Sequence, residues 1–127
     1  MEIKLSLLPA ANEPEALYNL GTLVAASGDE SAAFALFKKA ASLGVSDAAF
    51  NVGASFYSGK GGVKKDLAIA AKWFDRASST RGLLFSAYCA IALGYPDVNE
   101  RLARAADAGS VEARNMLKNH QSISSEL

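Results

Sequence analysis

The sequence has one cysteine, one histidine and three prolines in 127 residues, only 9% aromatics, and thirteen basic side chains cancelled by thirteen acidic ones. Each scarcity removes a class of protein. A single thiol, Cys89, forms no intramolecular disulfide, and its neighbours Ala87, Tyr88, Ala90 and Ile91 suit a buried small hydrophobe better than a reactive nucleophile. The lone His120 would have to serve as base in a Ser-His-Asp or Cys-His arrangement from near the C-terminal end, and one histidine excludes a His-rich metal site. The acids mostly begin helices or occupy polar faces, which leaves no evident pair for acid/base work, so no enzyme activity, cofactor or metal is expected. Zero net charge lacks the basic footprint that drives binding to nucleic acid or anionic membrane, and neither is expected as a partner. No apolar run approaches the roughly 18 residues that span a bilayer. The opening MEIKLSLLPAA carries Glu2 and stops at Pro9, too short for a standard signal peptide, so a cytoplasmic location is expected.

What the sequence does have is alanine and repetition. Half its residues are hydrophobic, and the small size of many of them favours closely packed helices over a bulky β core. EALYNLGTLVAASGDESAAFALFKKAASLG, residues 15–44, lines up with DAAFNVGASFYSGKGGVKKDLAIAAKWFDRAS, residues 47–78, if the second copy has a longer middle turn. Leu20-Gly21 then matches Val52-Gly53, and Phe37-Lys38-Lys39-Ala40 matches Phe74-Asp75-Arg76-Ala77. A more worn third copy, 81–109, has Ala87 in place of the glycine, and Glu112-Ala113 opens a fourth first helix.

Apolar residues recur at helical spacing on both sides of each turn, so every copy reads as two helices. The expected helices are 13–26, 30–43, 47–58, 67–78, 82–93, 98–108 and 111–120, with a polar, fraying tail at 121–127. Asn12 with Glu15 and Asp97 with Glu100 have the spacing of capping boxes, and Ser46, Asp66 and Ser110 are further candidate caps. Gly44, Gly59, Gly94 and Gly109 stand where helices should stop. Gly21 and Gly53 fall inside helices, where glycine costs about 1 kcal/mol relative to alanine. Recurrence of a small residue at one offset in three copies points to close approach of the partner helix.

The second copy, with its Val-Gly pair, aromatic pair, SGKGGVKKD turn and AAKWFDRA helix, resembles the Sel1-like repeat, a relative of the tetratricopeptide repeats with a longer inter-helix turn. The resemblance implies an all-α, right-handed α/α solenoid used as a scaffold, adaptor or inhibitory partner, with free-standing short members typically bacterial. The expected organisation is a single domain over 1–127, with repeats at about 13–44, 46–79 and 80–109 and a capping helix at 110–120. Unlike the cysteine-rich branch of the family, this chain has no cysteine pair per repeat, which argues against an oxidising compartment.

Counted from the small residue, offsets of minus four, minus one and plus three give a core face: Leu17, Leu20, Val24; Ala49, Val52, Phe56; Leu83, Ser86, Ala90. Phe34, Phe37, Trp73, Phe74 and Leu102 join it from the second helices, and Trp73 is expected to pack rather than to serve as a ligand platform. First helices line the concave surface of such a solenoid. Offsets of minus six, minus three, plus one and plus four therefore mark a candidate partner-binding stripe containing Tyr18, Thr22, Phe50, Tyr57, Leu84, Tyr88 and Asn115. Its aromatics Tyr18, Phe50, Tyr57 and Tyr88 are the candidate anchors, because aromatic side chains offer large apolar area at low entropy cost. The alternative is that they tuck against neighbouring repeats as half-buried packing.

The glycine-lysine turn, 58–66, lacks the GxxxxGK[ST] spacing and preceding strand of a phosphate loop. A solvated turn is expected, with Lys60, Lys64 and Lys65 as a small basic edge. Arg114 and Lys118 suit a helix that closes the stack, and Ile3, Leu5 and Leu7 mark where a weak dimer would form if the chain is not a monomer. The function expected is non-catalytic binding of a protein partner on the concave face; the family resemblance implies neutralisation of a bacterial toxin as one form of it, with an adaptor role in a signalling or secretion assembly as alternative and a hydrolase less favoured.

Overall fold

The helical periodicity is realised in a computed structural model that describes residues 13–126, with side chains to residue 119. The elements are α1 (Pro14–Ala26), α2 (Glu30–Ser42), α3 (Ser46–Ser58), α4 (Leu67–Ala77), α5 (Thr80–Leu93), α6 (Val98–Asp107) and α7 (Val111–Glu126), and the described residues contain no strand. Each helix packs chiefly on its neighbours in the chain, which is the organisation of stacked helical hairpins. The last helix continues past the expected end near residue 120 to Glu126. Asn12 and the apolar positions Ile3, Leu5 and Leu7 lie outside the described residues, as does the side chain of His120.

Cap chemistry follows the sequence at some ends and departs from it at others. Asp66 accepts the Ile69 N–H at 3.0 Å and Ser110 accepts that of Ala113 at 3.0 Å, as expected. Asp29 and Ser79, not anticipated, cap α2 and α5 in the same way. Two expectations fail. Ser46 is the first residue of α3, and its hydroxyl donates to the Ala77 carbonyl, tying the start of α3 to the end of α4. Asp97 stands at the start of α6 but makes no cap bond: its Oδ2 accepts from Arg101, and its buried Oδ1 has no partner among the described residues. The turn glycines behave as expected: Gly59 and Gly94 end α3 and α5 with φ of 72°.

The small position inside each first helix is explained by the partner helix. A Cβ on Gly21 would lie 2.8 Å from Cε1 of Phe37, and one on Gly53 would lie 2.7 Å from Cδ1 of Phe74. The third repeat pairs a larger small residue, Ala87, with a smaller large one, Leu102, in one buried cluster. Volume is thus conserved across the hairpin while its division between the two helices changes. Leu17, Ala49, Val52, Ser86 and Ala90 are buried as expected, whereas Leu20, Val24, Phe56 and Leu83 are half-buried. Trp73 packs at the edge of the first cluster, with the Arg76 guanidinium 4.4 Å above its ring.

A polar network joins the second repeat to the third. Arg101 of α6 donates to Asp75 of α4 at 3.0 Å, to Ser86 of α5 at 2.6 Å and, through Nε, to Asp97 at 3.0 Å. Ser86, fully buried, donates in turn to Asp75 at 2.5 Å. Burial works against the Arg101 charge, but the bonds and negative charges of Asp97 and Asp75 outweigh it and hold the guanidinium above its usual value. Cys89 beside this network is fully buried, and desolvation pushes its thiol up to about 11, so it packs as a small hydrophobe.

Candidate functional site

Position minus two from the small residue decides what lies between successive first helices. That position holds Asn51 in α3, Phe85 in α5 and Met116 in α7, each directed at the space beside the preceding hairpin. Asn51 leaves a groove of about 490 Å³ open against α1 and α2, floored by Phe34 and Phe37 and flanked by Tyr18 and Thr22. Met116 leaves a second groove of about 570 Å³, lined by Ile91, Tyr95, Val98, Leu102 and Asn119. Residue for residue, Ile91 stands where Ala25 does, Leu102 where Phe37 does and Asn119 where Ala54 does, so the two grooves are the same site two repeats apart.

The equivalent site between them is filled. Phe85 lies 5.8 Å from Phe50, 5.5 Å from Tyr57, 5.5 Å from Phe74 and 5.4 Å from Tyr88, measured between ring centroids. Edge-on and tilted contacts of this kind each add about 0.5–1.5 kcal/mol beyond area burial. The Arg81 guanidinium sits 4.7 Å over the Phe50 ring. The Tyr88 hydroxyl donates to the Glu112 carboxylate of α7. Burial, that bond and the negative charges nearby push its phenol up to about 12.

The seven stripe residues therefore separate into distinct settings. Tyr18 and Thr22 come together in the first groove, where the Tyr18 ring packs 5.7 Å from Phe37. Phe50, Tyr57 and Tyr88 meet in the aromatic plug, half-buried between repeats. Leu84 packs against the third cluster, and Asn115 is exposed on α7 and lines neither groove. Sequence reasoning did not single out Asn51, Phe85 or Met116. Reading down the minus-two position of the copies would have found them.

The glycine-lysine turn packs onto α2. Gly61, at φ 75°, lies so close to Phe34 that an added Cβ would stand 3.1 Å from the Phe34 Cβ. The Asp66 N–H donates to the Phe56 carbonyl at 2.8 Å, and Lys60 comes to the rim of the first groove. Among the described residues no group of three His, Cys, Asp or Glu side chains could hold a metal ion, and no helix is long and apolar enough to cross a membrane.

Residues 14–45 and 46–79 each match the Sel1 repeat. The chain belongs to the Sel1 repeat family. Its hairpins α1–α2 and α3–α4 are the two matched repeats, and α5–α6 repeats their architecture with the altered Ala87–Leu102 pair. Among solved structures, a Sel1 repeat protein from Oxalobacter formigenes superposes with a TM-score of 0.73 at 24% identity over 84% of this chain. The structure of c5321, a protective antigen present in uropathogenic Escherichia coli strains and displaying an SLR fold, superposes with a TM-score of 0.71 at 30% identity over 82%. The chain spans 48% of the first protein and 25% of the second. No curated protein matches it. Sel1 repeats generally mediate protein–protein interaction and are typically non-catalytic modules.

Proposed function

We propose that this Sel1 repeat chain is a non-catalytic module that binds a protein partner along its first helices, with the two open grooves as primary contacts and the aromatic plug as the rigid wall between them. The observation that carries this reading is the repeat equivalence of the grooves. Two like clefts on one face of a stiff stack present a partner with two anchor points in fixed register, and pre-organised anchors lower the entropy lost on binding. Tyr18 and Thr22 contact the partner in the first groove. Tyr57, Phe50 and Tyr88 hold the wall, Leu84 supports it from behind, and Asn115 extends the face onto α7.

Within this reading, neutralisation of a bacterial toxin in the cytoplasm is the narrower role, and scaffolding of a signalling or secretion assembly is the alternative. A photo-crosslinking amino acid placed at Thr22, at Asn119 and at Lys72 on α4 tests the shared claim. Adducts to a protein from Thr22 and Asn119 but not from Lys72 are expected. Adducts from Lys72 alone would contradict it. Restoration of growth to cells expressing the captured partner separates neutralisation from scaffolding.

A further inference from the structure

The leading face of α1 has the residue pattern of a face that is covered elsewhere in the stack. At offsets of minus five and minus two from the small residue, α1 carries Ala16 and Asn19, the same pair as Ala48 and Asn51 of α3. In α3, which has a hairpin before it, Ala48 is fully buried and Asn51 half-buried. The plus-two position behaves alike, with Ser55 half-buried in α3 and Cys89 fully buried in α5. In α1 that position is Leu23, which is 53% exposed, one turn from the exposed Asn19. The second helix adds the half-buried Leu36, at the position from which Trp73 joins the first core cluster and Arg101 reaches Asp75 of the preceding hairpin. At the far side of the stack, α7 instead carries exposed Arg114 and Lys118 where earlier first helices hold core or small residues, so its outer side suits water.

The size of this strip selects a tethered cover. A stable complex with a separate chain buries about 1,200–2,000 Å², and one open leucine with a half-buried neighbour offers a small fraction of that. Stacking the outer side of α7 from a second copy here would also set Arg114 and Lys118 against Leu23. A segment joined to α1 has far less association entropy to repay. We infer that residues 3–8 of this chain fold back along α1 and cover Leu23 and Leu36 with Ile3, Leu5 and Leu7. Alternate residues of an extended chain share one side, which sets these three on the strip and leaves Lys4 and Ser6 to water. The lengths match: α1, with 13 residues, is about 20 Å long, and six extended residues span about 20 Å. Pro9 and Asn12, between the segment and α1, are turn-forming residues that suit the reversal. The cover stands apart from the partner-binding reading, since neither Leu23 nor Leu36 lines a groove.

The test is the pattern of methyl–methyl nuclear Overhauser effects in the full wild-type chain, which arise only between groups in near contact. Cross-peaks from Leu5 and Leu7 to Leu23 and Leu36 are expected, and they should vanish from isotope-filtered spectra of mixed labelled and unlabelled copies. In a second measurement, Leu5→Asp/Leu7→Asp should speed hydrogen exchange at residues 19–24 by about tenfold or more, because the apolar cover is lost. Exchange in α5 to α7 should stay as in wild type, and circular dichroism checks that the variant keeps its helices. Cross-peaks to Ala54 in the first groove in place of Leu23 would overturn the inference in favour of a segment lodged in that groove. Cross-peaks between copies would overturn it in favour of a dimer. An absence of cross-peaks, or unchanged exchange in the folded variant, would overturn it outright.

Discussion

Replacing Gly53 with alanine isolates the steric logic of the hairpin. Alanine gains about 1 kcal/mol of helix propensity over glycine. The new Cβ, however, would lie 2.7, 2.8 and 3.1 Å from three ring atoms of Phe74. That ring is fully buried and boxed by Phe50 at 5.3 Å, Phe85 at 5.5 Å and Tyr57 at 6.1 Å, so it cannot retreat. Overpacking costs about 1–3 kcal/mol, and with no room to relax the net loss should be about 2 kcal/mol, a fall in Tm of about 6–10 °C for a chain of this size. Phe74→Leu alone should cost about 1–2 kcal/mol through the space it leaves. The double variant Gly53→Ala/Phe74→Leu recreates the Ala87–Leu102 pairing of the third repeat, so it should be more stable than the sum of the single effects by about 1–2 kcal/mol. Thermal and urea denaturation followed at 222 nm measure the cycle. Additivity within about 0.5 kcal/mol would refute the account of the small position. Gly21→Ala serves as a milder companion, because Phe37 lies on the floor of an open groove and has somewhere to move.

Three further outcomes follow from the structure. Arg101→Met should lower stability by about 2 kcal/mol, since Asp75 and the fully buried Ser86 would lose their shared donor; a urea midpoint equal to wild type would discount the network. Asp66→Ala and Ser79→Ala should each cost about 1 kcal/mol as N-cap losses. Tyr88, whose phenol is raised from 10.0 to about 12, keeps its proton in the fold after the unfolded chain has lost it. Its contribution is complete below pH 10 and lost as pH rises towards 12, so the alkaline drop in stability over that window should shrink in Tyr88→Phe.

The elements best read from sequence were those governed by local rules. The starts of α2, α4, α6 and α7 fell where the periodicity set them, and at α4 and α7 the expected caps Asp66 and Ser110 fix them within one helical turn. The Gly21 and Gly53 positions were legible because the same constraint recurs in each copy. The network of Asp75, Ser86 and Arg101 was not, since it joins residues 11, 15 and 26 apart on three helices and leaves no periodic trace. The same network turns Asp97 away from its local signature: its Oδ2 accepts from Arg101 of the same helix, and no cap bond forms. For the candidate site, helical geometry picked out the stripe proposed here for binding but not which parts of it stay open. That depended on one side chain per repeat, amide at Asn51, thioether at Met116 and phenyl at Phe85, reaching across to the preceding hairpin.

The most direct test of partner binding through the grooves is the affinity of the purified, crosslink-identified partner for wild type, Thr22→Trp, Asn119→Trp and Lys72→Trp. Blocking either groove should weaken binding at least about tenfold, about 1.4 kcal/mol, while the α4 control binds as wild type. Equal affinity of all four proteins would contradict the assignment of the binding face.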